Sequence, residues 1–174
     1  RFASGLLLLS YTTRRDATML DVSNTRSLTT EKDIEHPIEA VWRAITDSES
    51  LSVWFFPNDI DPVVGHKFTI WSRPIERWDG EFKCVVLAVE PNSMLRFRWT
   101  GGHAELKGFG RHMDTTVTWT LSPLPDGGTH FVYVQEGIEA GPEADAIYDI
   151  LRKGSESVLK SLVKRLPQLI EHGG

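Results

Sequence analysis

The sequence predicts an α+β fold in which a curved antiparallel sheet of six or seven strands wraps a long C-terminal helix, with two short helices after the first strand. Three patterns support this prediction. First, apolar residues at helical spacing follow one strand-like segment near the N-terminus. Second, apolar and polar residues alternate through the middle of the chain. Third, a long run of apolar residues at helical spacing lies at its C-terminal end. Because the sheet and the long helix each have an apolar face, we expect those faces to pack against each other.

The first elements are a strand and two short helices. Residues Ser27–Glu35 mix Thr, Leu and Ile with charged residues, which is typical of a half-exposed strand. Pro37 and Glu39 favour a helix start, since proline suits the first helical position and an acidic side chain suits the first turn. The apolar face of this helix follows at helical spacing, at Ile38, Val41, Trp42 and Ile45. Asp47 can cap a second short helix, which must end before Pro57.

The middle of the chain predicts the strands of the sheet. Its apolar residues recur at every second position, and turn-forming sequences at residues 78–80, 91–93 and 125–128 separate the runs. This pattern is typical of an antiparallel sheet with one covered and one solvated face. The residues predicted on the inner face are Phe68, Ile70, Phe82, Cys84, Val86, Ala88, Leu95, Phe97, Trp99, Val117, Trp119, Leu121, Phe131, Tyr133 and Gln135.

The last element is a helix predicted from about Glu143 to Leu166. Its apolar stripe consists of Ile147, Leu151, Val158, Leu162 and Leu166. The small residues Gly154 and Ser155 interrupt this stripe and would leave room beside it. We expect Pro167 to end or kink the helix, because proline cannot donate a backbone hydrogen bond.

Composition and charge indicate one acidic domain with a short N-terminal extension. The 174 residues include 24 acidic and 19 basic side chains, a net charge of −5. Residues 1–18 hold three Arg and one Asp, or +2, so residues 19–174 carry −7. We expect residues 1–18 to be disordered or accessory and residues 19–174 to form the domain. The sequence predicts no basic face, which excludes nucleic-acid binding. The apolar run 6–9 is far shorter than the about 20 residues of a membrane span.

The residues that carry chemistry predict no metal site, no cofactor and no catalytic residue. The histidines lack the spacing of metal ligands, and only four potential ligands share one loop: His103, Glu105, His112 and Asp114. No nucleophile-elbow sequence is present. Cys84 is the single cysteine, so it cannot form an internal disulfide and favours a reducing, cytoplasmic location. Glu81 and Glu136 fall on the outer face, where we expect them to be solvated.

These elements, in this order, resemble the helix-grip fold of the START superfamily, also called SRPBCC, which includes pollen-allergen and polyketide-cyclase proteins. The sequence is most similar to the activator of heat-shock-protein-90 ATPase homologue-like family, over about Thr25 to Leu169. The connection Gly101–Met113 departs from the family pattern, being long and glycine-rich, and we interpret it as a lid or a flexible loop. The resemblance is carried by PIEAVWRAITD (37–47), VWFFP (53–57), PVVGHKF (62–68), VEPNSML (89–95), TVTWTL (116–121), GGT (127–129) and the last helix.

The resemblance implies a cavity between the concave sheet and the last helix, which would bind a small apolar or aromatic molecule. The alternative, from the residues alone, is a core that the same aromatic side chains fill. Tyr133 and Gln135 are the candidates to bind a polar group of the ligand. The expected ligand-binding residues are Trp54, Phe55, Phe68, Phe82, Phe97, Trp99, Trp119, Tyr133, Gln135, Ile147, Leu151 and Ser155.

Binding without obligatory catalysis is the leading functional hypothesis. One alternative is an enzyme of the cyclase, dehydratase or hydrolase type that uses the same cavity. Another is a regulator of a chaperone ATPase, as the family's name suggests. The expected partner is therefore a small apolar or aromatic ligand, with neither nucleic acid nor membrane. An exposed strand edge would also allow a homodimer.

Overall fold

A six-stranded antiparallel sheet, built from strands in the order β1-β6-β5-β4-β3-β2, forms the frame of the molecule. The structure is a computed structural model that describes residues 24–173, so the predicted extension 1–18 lies outside the described residues. The strands are β1 (Thr25–Ile34), β2 (Lys67–Trp71), β3 (Glu81–Glu90), β4 (Met94–Gly101), β5 (Met113–Pro123) and β6 (Thr129–Glu139). The helices are α1 (Ile38–Thr46), α2 (Ser48–Trp54) and α3 (Asp145–His172).

The predicted α+β fold is confirmed, with six strands, two short helices after β1 and a long C-terminal helix. Alternate residues of β4 and β5 are buried, as the sequence pattern predicts. The pattern fails in β3, where the register with β4 shifts between Val86 and Ala88. Ala88 was expected on the inner face, but beyond this bulge Val89 packs against the core instead. An extra residue in one strand reverses the facing of every residue after it.

The two short helices form a tightly joined pair at one end of the sheet. The predicted cap is confirmed, since the Asp47 carboxylate accepts a hydrogen bond from the backbone N–H of Ser50 at 2.9 Å. The indole Nε1 of Trp54, in α2, donates to the carbonyl of Ala44, in α1, at 2.8 Å. This bond satisfies one of the carbonyl groups that the end of α1 leaves unpaired.

α3 lies along the inner face of the sheet and buries Ile147, Ser155, Leu159, Leu162 and Leu166. The helix was predicted to reach about Leu166, with Pro167 ending or kinking it; it continues to His172, so Pro167 does not end it. Pro167 costs one hydrogen bond close to the C-terminus, where the surrounding contacts compensate. Leu169 packs against the core, and the guanidinium of Arg43 donates to the carbonyl of Gly173 at 2.7 Å.

The outer edge of β2 is already paired. The backbone N–H of Thr69 donates to the carboxylate of Asp59 at 2.6 Å, and the N–H of Trp71 donates to the carbonyl of Pro57 at 2.9 Å. A covered edge cannot add a strand from another chain.

Within residues 24–173, no helix is both long enough and apolar enough to cross a membrane.

Candidate ligand-binding site

A cavity of about 630 Å³, counting the space open to solvent at its mouth, lies between the sheet and the first half of α3. β3, β4, β5 and β6 each contribute one side chain to its wall: Phe82, Trp99, Met113 and Tyr133. α3 contributes Ile147, Ile150, Leu151, Gly154, Ser155 and Val158. The segment after α2 adds Phe55 and Phe56, and the β4–β5 loop adds Phe109, Gly110 and Arg111.

The aromatic rings of the wall hold one another in place. The rings of Phe82 and Trp99 meet edge to face with centroids 5.2 Å apart, and Phe55 meets Trp99 in the same way at 5.7 Å. Edge-to-face pairs stabilise a specific orientation of both rings. The wall therefore offers a fixed aromatic surface to any molecule that enters the cavity.

The helix wall is thin where its side chains are small. A Cβ atom added at Gly154 would meet no atom within 4 Å, so this position faces open space. The Ser155 hydroxyl is 2.8 Å from the carbonyl of Arg152, to which it donates, and 2.6 Å from the hydroxyl of Thr30 in β1. The small residues noted in the sequence therefore leave room for the cavity and bring α3 close to β1.

A buried polar chain supports the sheet wall. The Tyr133 hydroxyl donates to the amide oxygen of Gln135 at 3.2 Å, and the amide nitrogen of Gln135 donates to the Thr115 hydroxyl at 3.0 Å. Burial raises the pKa of Tyr133, so its hydroxyl stays protonated at neutral pH. Tyr133 thus lines the cavity as a fixed, neutral group.

The β4–β5 loop closes one end of the cavity and is held from outside. The ring of Phe109 lies 5.8 Å from the ring of Trp78, and the guanidinium of Arg73 lies 4.4 Å from the Phe109 centroid. Gly110 has a φ of +85°, and a Cβ atom there would lie 2.5 Å from a methyl carbon of Ile75. Only glycine fits such a position. These contacts define a packed loop that contributes three residues to the cavity.

Arg111 is the single charged residue among the described residues that line this cavity. Its side chain is 13% exposed, and its Nη2 lies 2.8 Å from Oε2 of Glu139 in β6. Its Nε also reaches this oxygen, at 3.2 Å. A guanidinium so far removed from water needs an anionic partner, and Glu139 supplies one from the solvent side.

The structure divides the twelve predicted site residues into a group of seven, a group of four and Gln135. Seven lie on the cavity wall: Phe55, Phe82, Trp99, Tyr133, Ile147, Leu151 and Ser155. Four others lie in a filled core beside it: Trp54, Phe68, Phe97 and Trp119. The ring of Trp119, for example, is packed between Phe97 at 5.3 Å and Phe131 at 6.1 Å. Gln135 is fully buried behind Tyr133.

Eight residues of the wall were not among the predicted ligand-binding residues: Phe56, Phe109, Gly110, Arg111, Met113, Ile150, Gly154 and Val158. Three of them, Phe109, Gly110 and Arg111, belong to the β4–β5 loop, whose path depends on contacts with distant side chains and not on a local pattern. The one usable signal in this loop was Phe109, a bulky aromatic residue between two glycines. Ile150 lies outside the apolar stripe and is partly exposed at the mouth.

Two of the four potential metal ligands predicted in one loop, Glu105 and Asp114, form ion pairs, and the structure places Asp114 in β5. Glu105 pairs with Arg77, and Asp114 pairs with Arg98, whose guanidinium lowers the pKa of that carboxyl. In the described part of the chain no three His, Cys, Asp or Glu side chains come together as metal ligands would. Cys84 is buried in the core, where loss of solvation raises the pKa of its thiol.

A curved antiparallel sheet that holds a long C-terminal helix, with a cavity between them, defines the helix-grip class of the SRPBCC superfamily. The family model described as Activator of Hsp90 ATPase homolog 1-like protein matches residues 35–167, and the chain belongs to this family. The superfamily and family inferred from the sequence are thereby confirmed.

Several solved structures are similar to this chain. Protein MLL2253 from Mesorhizobium loti is 33% identical, with a TM-score of 0.70 over 86% of this chain and 99% of its own. BH1534 from Bacillus halodurans is 28% identical, with a TM-score of 0.60 over 84% of this chain and 98% of its own. CalU16 from Micromonospora echinospora, 22% identical with a TM-score of 0.59 over 84% and 80%, shares the fold. No curated protein matches the chain significantly.

Proposed function

We propose that this protein binds a small apolar or aromatic molecule in the cavity between the sheet and α3, without obligatory catalysis. The cavity itself carries this proposal. Its lining is mostly aromatic and aliphatic with few polar groups, as is usual for small-molecule sites. Protein interiors are otherwise packed to high density, so open space beside a filled core supports the proposal of a binding site.

Burial of apolar surface would supply most of the binding free energy. At about 25 cal/mol per Å², a ligand that buries roughly 200 Å² of apolar surface gains on the order of 5 kcal/mol, before the cost of association. The edges and faces presented by Trp99 and Phe82 favour a flat aromatic ligand over a branched aliphatic one.

Catalysis in the same cavity would require a group that exchanges a proton near neutral pH. Among the described lining residues, the ionisable side chains are Tyr133 and Arg111. Burial raises the pKa of Tyr133, and an arginine remains protonated at all accessible pH values. Neither is suited to act as a general base at pH 7. For this reason we propose binding and not a cyclase, dehydratase or hydrolase reaction.

The test uses N-phenyl-1-naphthylamine, a neutral aromatic probe whose fluorescence rises when it leaves water. The wild-type protein should bind it, whereas Gly154→Leu should bind it at least about tenfold more weakly, because the new side chain enters the cavity. The change also replaces a poor helix former with a good one, so α3 should remain stable. Ser157→Leu, at an exposed position of α3, is the matched control.

Two results would contradict the proposal. One is a wild-type protein that fails to bind the probe, and the other is equal binding by Gly154→Leu and the Ser157→Leu control. Far-ultraviolet circular dichroism of both variants checks that α3 is intact.

We also propose a cytoplasmic setting, on the ground that the single cysteine is buried as a free thiol. The chaperone-regulator alternative rests on the family's name, and we do not propose it for this chain. Specific retention of an Hsp90-class chaperone by the immobilised protein would overturn that choice.

A further inference from the structure

Arg111 retains hydrogen-bonding capacity that its protein partner does not use. Both of its side-chain hydrogen bonds to described residues, from Nε and Nη2, go to the same oxygen of Glu139. A guanidinium has five N–H groups and pairs best with two oxygens at once. The group therefore has donors to spare on the wall of an otherwise apolar cavity.

The two hydroxyl groups of the wall have already donated their protons, whereas the buried indole N–H of Trp99 has no acceptor among the described residues. The Tyr133 hydroxyl donates to Gln135, and the Ser155 hydroxyl donates to the carbonyl of Arg152. Both hydroxyl oxygens can accept a hydrogen bond but have no free donor. Beside the neutral N–H of Trp99, Arg111 is the charged donor that the described wall offers to an acceptor group of a ligand.

The electrostatic setting makes this donor selective for negative charge. The described wall contains no carboxylate, and charges interact more strongly in an apolar cavity than in water. The chain as a whole carries −5, so its overall field repels anions and gives them no general affinity for the surface. An anion bound in this cavity would depend on Arg111.

We propose, on the basis of the function proposed above, that the ligand is an aromatic or apolar acid. Its anionic group lies on the guanidinium of Arg111, at the end of the cavity closed by the β4–β5 loop. Its apolar body lies against Trp99 and Phe82.

The experiment compares two probes with the same aromatic body. 1-Anilinonaphthalene-8-sulfonate carries a negative charge, and N-phenyl-1-naphthylamine lacks the sulfonate. Arg111→Gln should lower the ratio of sulfonate affinity to neutral-probe affinity about tenfold, since a charge-assisted hydrogen bond to the sulfonate is lost. Arg98→Gln removes a similarly ion-paired arginine from the outer face of the sheet and is the matched control for surface attraction.

Glu139→Gln separates ligand binding from a structural role of the ion pair. Arg111→Gln and Glu139→Gln break the same contact, so a purely structural effect would move binding of both probes in the same direction in both variants. The proposal instead requires opposite effects: Glu139→Gln should strengthen binding of the sulfonate severalfold, because it frees the guanidinium from its competitor.

Three outcomes would overturn the inference while leaving apolar binding intact. They are an unchanged ratio of sulfonate to neutral-probe affinity in Arg111→Gln, an equal loss in Arg98→Gln, and weaker sulfonate binding in Glu139→Gln. If the neutral probe fails to bind the wild type, the proposed function itself is wrong. The affinity ratio of the two probes distinguishes these cases.

Discussion

Trp54 and Trp119 pack against each other with ring centroids 5.7 Å apart, but their indole N–H groups are in opposite situations. The N–H of Trp54 donates to the carbonyl of Ala44, at the end of α1. The N–H of Trp119 is buried and has no acceptor among the described residues. A buried polar group without a partner costs about 1–3 kcal/mol, which Trp119 offsets by filling the centre of the core. Its role is therefore packing.

Replacing each of these tryptophans with phenylalanine should separate packing from hydrogen bonding. Both changes remove similar volume from the core, but Trp54→Phe also leaves the Ala44 carbonyl unpaired, whereas Trp119→Phe removes an unpaired donor. We expect Trp54→Phe to lower the free energy of unfolding by about 1–2 kcal/mol more than Trp119→Phe. Urea denaturation of the two variants measures this difference, and equal losses would show that the Trp54 hydrogen bond contributes nothing.

At the scale of elements, β1 and β6 are joined on their outer face by a histidine between two carboxylates. The Nδ1 of His130 lies 2.6 Å from the carboxylate of Asp33, and its Nε2 lies 3.2 Å from the carboxylate of Glu31. The hydrogen bond to Asp33 and the charges of both carboxylates raise the pKa of His130. Protonated His130 therefore connects the last strand of the sheet to the first.

This pairing predicts a stability difference that depends on pH. Because the pKa of His130 is higher in the folded than in the unfolded state, its contribution is complete below about 6.5, the unfolded value, and is lost as the pH rises through the folded value. His130→Asn should therefore lower the melting temperature at pH 5.5 and have little effect at pH 9. The contribution should be about 0.2–1 kcal/mol, as for other exposed pairs. An equal effect at both pH values would argue that packing, and not charge, is lost.

An element could be predicted from the sequence where interactions between neighbouring residues determine it, and not where contacts between distant residues do. The cap at Asp47 and the helical face of α1 depend on neighbours in sequence, and both were predicted. The bulge after Val86 has no signature in the residue pattern, so Ala88 was placed on the wrong face. Pro167 is unfavourable in a helix, but tertiary contacts of Leu169 and Arg43 keep α3 helical beyond it.

At the scale of the whole molecule, one end of the sheet's inner face is covered by a filled core and the other end lines the cavity. Alternation predicted that Trp99 and Trp119 share this face, but it cannot say what covers each of them. Trp119 lies under α1 and α2 and belongs to the filled core, whereas Trp99 lies beside the cavity. The sequence therefore predicted the fold and about half of the cavity wall. The cavity's extent depends on the docking of α3 and the loop.

Native mass spectrometry of protein purified from its own host addresses the ligand at this scale. We expect a discrete additional mass that solvent extraction releases. In Gly154→Leu the new side chain should fill the cavity, so the additional mass should be absent. The same spectra report the oligomeric state and so test the predicted homodimer through a strand edge. Such a dimer would have to use β1, because the edge of β2 is covered. A bare monomer mass from the native host would speak against a tightly held ligand.

The pairing of β1 with β6 imposes an order on how this protein is made. Thr30 lies opposite Tyr133, so the first strand to leave the ribosome has as its sheet partner the last strand to do so. At roughly 5–20 residues per second, β1 waits on the order of 10 s for that partner. During this interval the charged residues Glu31, Lys32 and Asp33 discourage pairing with strands of other nascent chains. The charged residues of β1 thus protect the chain until β6 is made and pairs with it.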